Sequence, residues 1–403
     1  MKRKFRQAKS KLKHVVTSYV LWSLLALVGV DGGCRLIDRL GYWPVTPYQT
    51  AHHSWVWWVA ADYRQQKGAP DVALLGSSLM MAAVHGGDAA YLKSPQKVAL
   101  HHRSILLEDR LNKKFNKSCR TFSFALGGEM ASDAYVLARN LFTGNKQPKV
   151  IIYGIAPRDF MDNALKNPAS TEIFKYMEKL QDMPDIAVSA RKSVWDLVEY
   201  ALSKISFIYG HRADFVYIQH SIARNLLCTV CGARDMNEIH TTFPIRKQSL
   251  LELPEDAGEN EVLVHPPSPS GEAYTDNLPE YRYRYSSFQE KQFKEQVSYL
   301  ERLLALCKDR GIKIILVNMP LTRDNINVMP AGFYARYSQT MQHLCREYQG
   351  QFLDLNSEED FPKKYFADSV HLNSAGGMRF FEVLSERLFA DSRVATTIKD
   401  AVH

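Results

Sequence analysis

Serine becomes a nucleophile near neutral pH when an imidazole takes its proton and a third group orients that imidazole. This chain carries all three residue types in suggestive settings. Ser78 lies in Gly76-Ser77-Ser78-Leu79, directly after the short apolar run Asp71–Leu75, which reads as a buried strand. A serine on a tight strand-to-helix turn is placed to attack a carbonyl. Far downstream, Asp368-Ser369-Val370-His371 puts a carboxylate three residues before an imidazole. One loop can therefore supply a general base and the acceptor that sets its tautomer, which is the chemistry of acyl hydrolysis or transfer. Each residue also has a plainer explanation: Ser78 as a helix N-cap, Asp368 as a turn cap, His371 as a hydrogen-bonder beside a helix starting near Ser374.

Two further segments bear on such a reaction. Gly127-Gly128 ends the strand-like stretch Cys119–Leu126. Its backbone N–H groups suit a developing oxyanion, and a tight turn alone favours glycine equally well. Gly154-Ile155-Ala156-Pro157-Arg158-Asp159 follows the strand-like run Val150–Tyr153. Arg158 is a candidate to help bind negative charge; a surface pair between Arg158 and Asp159 is the alternative.

The elements that must position these residues alternate. Helical patterns are expected from Leu79, over Ser104–Phe115, over Ser132–Leu141 (with Ser132 or Asp133 as N-cap), over Phe288–Arg310, over Ala331–Tyr348 and over Ser374–Leu388. Between them, Ile312–Val317 and Phe352–Leu355 read as further strands. Such alternation predicts an α/β fold, a three-layer α/β/α arrangement around a central parallel sheet. Every candidate motif then falls beyond the carboxyl end of a strand, where ligands bind on such sheets. The interval 160–287 interrupts the pattern. It contains helical stretches (Thr171–Leu180, Lys192–Ile205, Val216–Leu227) and a Pro-rich segment, Leu253–Glu280, expected to be a long loop. The whole interval reads as a largely helical insertion that lids the site.

Seven of the net +8 charges fall in the first thirteen residues, leaving about +1 for the other 390, so a nucleic-acid-binding face is not supported. Residues 1–14 form a basic tail, and the uncharged run Val15–Val30 follows. Sixteen residues span about 24 Å, short of a ~30 Å hydrocarbon core, so flanking residues must help. The one-sided basic flank predicts a single-pass anchor with a cytoplasmic N-terminus and residues 31–403 outside the cytoplasm. A cleaved signal or a lipidated Cys34 are the alternatives, each lacking a good processing site. Segment 31–70 is aromatic, with Tyr42, Trp43, Tyr48, Trp55, Trp57 and Trp58 suited to a membrane interface, a sugar surface or ordinary packing. Domain 71–403 would hold the chemistry.

The six cysteines include one close pair, Cys228 and Cys231, compatible with a local disulfide or with two reduced thiols. No second pair provides zinc spacing, and adjacent His52-His53 has no carboxylate cluster, so no metal site and no cofactor are expected.

Taken together, the blocks resemble the SGNH/GDSL hydrolase superfamily. Gly76-Ser77-Ser78-Leu79 is similar to its nucleophile block, with Ser78 in the reactive place. Ala125-Leu126-Gly127-Gly128 is similar to the second block, and Asp368-Ser369-Val370-His371 followed by Leu372-Asn373 to the fifth. The resemblance covers roughly 70–160 and 288–390. It implies catalysis by Ser78, His371 and Asp368, with the backbone of Ser78 and Gly127 as oxyanion donors. Two departures stand out: Ser77 replaces the family aspartate, and Ala156-Pro157 stands where the third-block asparagine is expected. The anchored architecture resembles the lipoteichoic-acid D-alanylation protein D group and the SGNH-like proteins of alginate O-acetylation. That likeness implies an envelope polysaccharide substrate and a membrane-bound O-acyltransferase partner. A catalytically degenerate glycan-binding or scaffolding subunit is the rival expectation.

Overall fold

The computed structural model describes residues 19–43, 55–191, 193–212, 262–268 and 273–401, with Gly271 and scattered positions between 214 and 226. The basic tail, His52-His53, the Cys228/Cys231 pair and half of the Val216–Leu227 pattern lie outside the described residues. The chain divides into two compact units, one from 1–52 with 192–250 and the other from 53–191 with 251–403.

The second unit is built on a five-stranded sheet: β1 Val72–Gly76, β2 Thr121–Ser123, β3 Val150–Ile155, β4 Lys313–Asn318 and β5 Gln351–Asp354. Its order is β2-β1-β3-β4-β5 and every pairing is parallel. This is the flavodoxin-like order, whose switch point lies between β1 and β3. β1 and β3 are buried along their whole length, which explains why they read as continuous apolar runs rather than alternating ones. Each fully buried Ile or Leu stabilises by roughly 1.5–3 kcal/mol relative to exposure. Parallel neighbours need crossover connections, and helices supply them. Ser78–Leu92, Ile105–Phe115 and Ser374–Ala390 pack with one another, as do Ala131–Leu141 and Glu290–Asp309. The expected α/β class with a central parallel sheet is therefore what the chain forms.

Several local expectations change. The strand-like stretch at 119–126 pairs only over Thr121–Ser123; its end, Phe124–Leu126, bonds back to β1 through the Phe124 and Leu126 amides instead. Helix Ala131–Leu141 is entered from Met130, with Asp133 in the first turn accepting the Met130 N–H at 2.9 Å. Trp57 and Trp58, in helix Trp55–Gln65, are buried in the sheet unit with their rings edge to face at 4.5 Å. Packing, not sugar stacking or a membrane interface, is their role, and the sheet unit starts well before residue 71.

The interval 160–287 is not one lid. Residues up to Arg191 and from Leu251 belong to the sheet unit, whereas 192–250 belong with the N-terminal segment. Nor is Leu253–Glu280 wholly irregular. Leu263–Val264 pairs antiparallel with Gln96–Lys97, and a helix, Leu278–Arg284, begins inside it. Pro279 falls in the first turn of that helix, where a missing N–H costs nothing.

In the first unit, Tyr19–Arg39 is one helix, continuing past Val30 through Gly32 and Gly33. Its length and composition suffice to cross a membrane, and none of its residues is buried. A second helix there, Val194–Ile205, leads into the short helix Phe207–Gly210, which packs against Tyr19–Arg39.

Candidate active site

The chemistry begins where β1 ends. Gly76 has φ +146°, and a Cβ there would lie 2.7 Å from the Gly154 carbonyl oxygen and 2.7 Å from Met80 Cβ. Only glycine lets the chain turn this sharply between β1 and the helix that starts at Ser78. Ser78 is thereby the first residue of helix Ser78–Leu92, half-buried and in a turn whose N–H groups have no intrahelical acceptor.

His371 arrives from the other end of the sequence. Its Nε2 is 2.8 Å from Ser78 Oγ, and its Nδ1 is 2.6 Å from Asp368 Oδ2. The other carboxylate oxygen, Asp368 Oδ1, accepts the Val370 and His371 N–H groups, each at 2.8 Å. Burial alone would raise the Asp368 pKa. The hydrogen bond and charge of His371 and these two backbone donors outweigh it, so the carboxyl stays below its usual range and ionised. An ionised acceptor at Nδ1 places the proton there and leaves Nε2 free to accept from the Ser78 hydroxyl. The three candidates named from spacing are thus joined in one hydrogen-bonded chain, partly open to solvent.

What holds the two halves together was not singled out in the sequence. Gly86-Gly87 in helix Ser78–Leu92 faces Gly376-Gly377 in helix Ser374–Ala390. A Cβ on Gly377 would sit 2.5 Å from the Gly87 nitrogen and 2.7 Å from the Ala83 carbonyl oxygen. Interior helical glycine costs about 1 kcal/mol relative to Ala. Here it lets two helix backbones touch, and those helices carry Ser78 at one start and follow His371 at the other. Two Gly-Gly pairs inside otherwise helical patterns are the signal that would have found this contact.

The Asp368–His371 loop is also gripped from outside. Asn277 Oδ1 accepts the Ser369 N–H at 3.0 Å and the Ser369 hydroxyl at 2.6 Å. Asn325 Nδ2 donates to Ser369 Oγ, and the Ser369 carbonyl accepts from the Thr322 hydroxyl at 2.8 Å. Thr275 N–H donates to Ala367 O, and Ala367 N–H to His371 O. Asn373 caps the next helix by accepting the Gly376 N–H. Asn277 and Thr275 come from the end of the interval expected to be a lid, so that stretch contributes as a brace.

The oxyanion candidates fare unevenly. Gly127 has a packing reason to be glycine, because a Cβ would lie 3.0 Å from the Trp55 ring. Gly128 needs its identity for the turn, with φ +81°. The Gly127-Gly128 turn is held beside the end of β1 by the Leu126 N–H bonding to Gly76 O at 2.9 Å. Arg158 does not form a surface pair with Asp159, since both are buried. Its Nε bonds Asp162 at 3.0 Å and its Nη1 bonds the Glu129 carbonyl at 3.2 Å. Nη2 lies 3.9 Å from where a side chain on Gly128 would begin. Arg158 therefore braces the glycine turn and the Asp162 carboxylate, which Arg284 also pairs. Tyr281, buried on helix Leu278–Arg284, feels the charges of Arg158, Arg284 and Asp368.

Beside the turn lies a cluster of acids that spacing did not reveal. Burial, then the neighbouring Asp133 and Asp159 charges, push Glu129 far above the usual carboxylate range, and the Gly76 N–H offsets part of this. Burial raises Asp159 to about 7 despite the Arg158 charge, the Ala156 N–H and the Ser77 hydroxyl. It raises Asp133 to about 7 as well, despite hydrogen bonds from Thr171 and Met130. Ser77 thus adds no further carboxylate beside Asp159.

No protein-family model matches the sequence, and no curated protein matches it. Among solved structures, the chain is similar to a Bacteroides fragilis protein described as a "putative acylhydrolase". The identity is 9% and the TM-score 0.35, over 82% of this chain and 94% of that one. A likeness of that size does not bear on function, which rests on the residues themselves.

Proposed function

We propose that the chain is a membrane-anchored, extracytoplasmic serine acyl-esterase or O-acyltransferase acting on an acylated cell-envelope glycan. The observation that carries this reading is the unbroken chain from Ser78 Oγ through His371 to an ionised Asp368, at the carboxyl end of β1. Ser78 Oγ attacks the ester carbonyl while His371 Nε2 takes its proton. Negative charge gathers on the carbonyl oxygen, with the Ser78 and Gly127 N–H groups as donors. Collapse expels the alcohol, which takes the proton back from His371 and leaves Ser78 acylated. Water, or a sugar hydroxyl, then gives its proton to His371 and attacks the acyl carbon; the bond to Ser78 Oγ breaks, and His371 returns the proton to Ser78. The two activities differ only in that second acceptor. Anchoring by helix Tyr19–Arg39, the basic tail on the cytoplasmic side and a membrane-bound O-acyltransferase partner belong to the same proposal.

One observation favours the second reading, a glycan-binding or scaffolding subunit without turnover. Pro157 offers no N–H, and Arg158 Nε and Nη1 are held by Asp162 and Glu129, so of these two residues only Arg158 Nη2, near Gly128, is left to stand in for the third-block donor. Fluorophosphonate labelling decides between the two. The full chain should be labelled and Ser78→Ala should not; a folded wild-type chain that resists the probe would select the binding subunit.

A further inference from the structure

Two helices from the same interval treat their apolar residues in opposite ways. Glu172–Leu180 buries Ile173, Phe174, Tyr176 and Met177, as an amphipathic helix of a water-soluble core does. Val194–Ile205 buries none of its residues. At about 100° per residue, Leu197, Ala201, Val194, Ile205, Val198, Leu202 and Trp195 share an arc of about 160°, and the polar residues fill the rest. All of that apolar arc except half-buried Leu197 points outward: Val194 is 74% exposed, Trp195 79% and Ile205 73%. The middle of the polar side is the part turned to protein, while Glu199 and Lys204 at its edges are exposed. Asp196, Tyr200 and Ser203 are half-buried, Glu199 pairs with Arg212, and Gly210 lies so close to Ser203 that a Cβ would be 2.5 Å from its carbonyl oxygen. A helix with its polar side inward and its apolar side outward suits an apolar solvent.

The attachment of this helix says which one. Asp31 is the first acid after the uncharged run ending at Val30. Its Oδ1 accepts the Ser206 hydroxyl at 2.8 Å and the Ile208 N–H at 3.0 Å, while Arg35 donates to the Ile205 carbonyl. The end of helix Val194–Ile205 is therefore pinned where helix Tyr19–Arg39 passes from apolar to charged. Trp43 adds to the joint, edge-on to Phe207 at 4.8 Å and to Phe215 at 5.3 Å. The short helix Phe207–Gly210 makes the contact with Tyr19–Arg39, which leaves the amphipathic helix free to follow the surface. Apolar residues with a Trp at the edge of the arc, and Lys204 and Glu199 flanking it, match the composition of an interfacial helix.

We propose that Val194–Ile205 lies in the lipid interface of the bilayer that Tyr19–Arg39 crosses, as a second membrane contact locked to the first through Asp31 and Arg35. This rests on the anchored reading of Tyr19–Arg39 given above.

The test places the photocrosslinker benzoylphenylalanine at Trp195, Val198, Glu199 or Leu25 of the full chain. The protein is reconstituted in phosphatidylethanolamine–phosphatidylglycerol vesicles. Lipid adducts are expected at Trp195, Val198 and Leu25, and at least tenfold fewer at Glu199. Adducts at Leu25 without any at Trp195 and Val198 would keep the anchor and overturn the interfacial helix. So would crosslinks from Trp195 to a second copy or another protein. Absence of lipid adducts at Leu25 would remove the anchor and this inference with it. Fluorophosphonate labelling of Ser78 in the same vesicles reads the catalytic proposal separately.

Discussion

Two carboxylate neighbourhoods flank the end of β1, one half-buried and one fully buried, and their pKa values move in opposite directions. Asp368 accepts two backbone N–H groups and the His371 ring, and it stays ionised. Asp159 is more deeply buried and has an arginine beside it, yet it is raised to about 7. Glu129, buried and with two acids for neighbours, is likewise raised well above the usual carboxylate range. The lesson is that charge follows the balance of donors against desolvation and like charge, not residue type or distance to an arginine. The ionised member can orient a base. The raised members are structural acids, neutral over part of the physiological range, that pack under the glycine turn.

The largest effect should come from removing the ionised side of this contrast. Asp368→Asn would keep the shape of the loop and offer an amide to His371 Nδ1, favouring the wrong tautomer. The fluorophosphonate labelling rate at pH 7 should fall about 10⁴-fold, as should His371→Ala. A fall of less than tenfold in Asp368→Asn would mean that the carboxylate does not set the tautomer.

A smaller effect is expected from the brace. Asn277→Ala leaves the Ser369 N–H without its acceptor and frees the loop that carries both Asp368 and His371. A shift of even about 1 Å costs as much as 100-fold, so labelling should slow about 10- to 100-fold. Asn277→Asp, which keeps the acceptor, should recover much of it. Equal loss in both variants would point to general misfolding instead, and a thermal melt would show that directly.

The smallest effect concerns stability and sharpens the comparison from its other side. Asp133 and Asp159 have folded pKa values raised to about 7 from the ordinary 3.8. Between those values the native state holds more protons than the unfolded one, so stability is full below pH ~4 and declines as pH rises toward ~7. Asp159→Asn should flatten that decline and raise the melting temperature at pH 8 by a few degrees relative to wild type. Asp368, whose pKa is lowered, contributes with the opposite sign: its part is present above pH ~4 and is lost as pH falls through its folded pKa. Identical pH profiles for Asp159→Asn and wild type would mean that Asp159 is ionised in the fold.

Much of the sheet was legible because its strands are buried on both faces, which leaves runs such as Val150–Ile155 with no competing pattern. Cys119–Leu126 predicts a longer strand than the one that forms, because apolar content continues beyond Ser123 while the pairing does not. The interval 160–287 was read as one body since helical periodicity reports an apolar face but not what covers it. Glu172–Leu180 and Val194–Ile205 look alike in sequence, yet one buries that face and the other exposes it.

The same limit separates what local order can determine from what packing must decide. Residue type and spacing determined the class of fold, the serine after β1, and the Asp368–His371 pair three residues apart, because a turn and a short loop are local. They also determined an apolar helix near the N-terminus. Only the tertiary structure decided that Ser78 meets His371, 293 residues away, through helices whose glycines let backbones touch. It alone decided that Arg158 is buried against Asp162 and Glu129, that Asn277 grips the Asp368–His371 loop, and that buried acids gather beside Gly76. Those outcomes depend on desolvation and on contacts between distant segments, and neither is written in any short stretch of sequence.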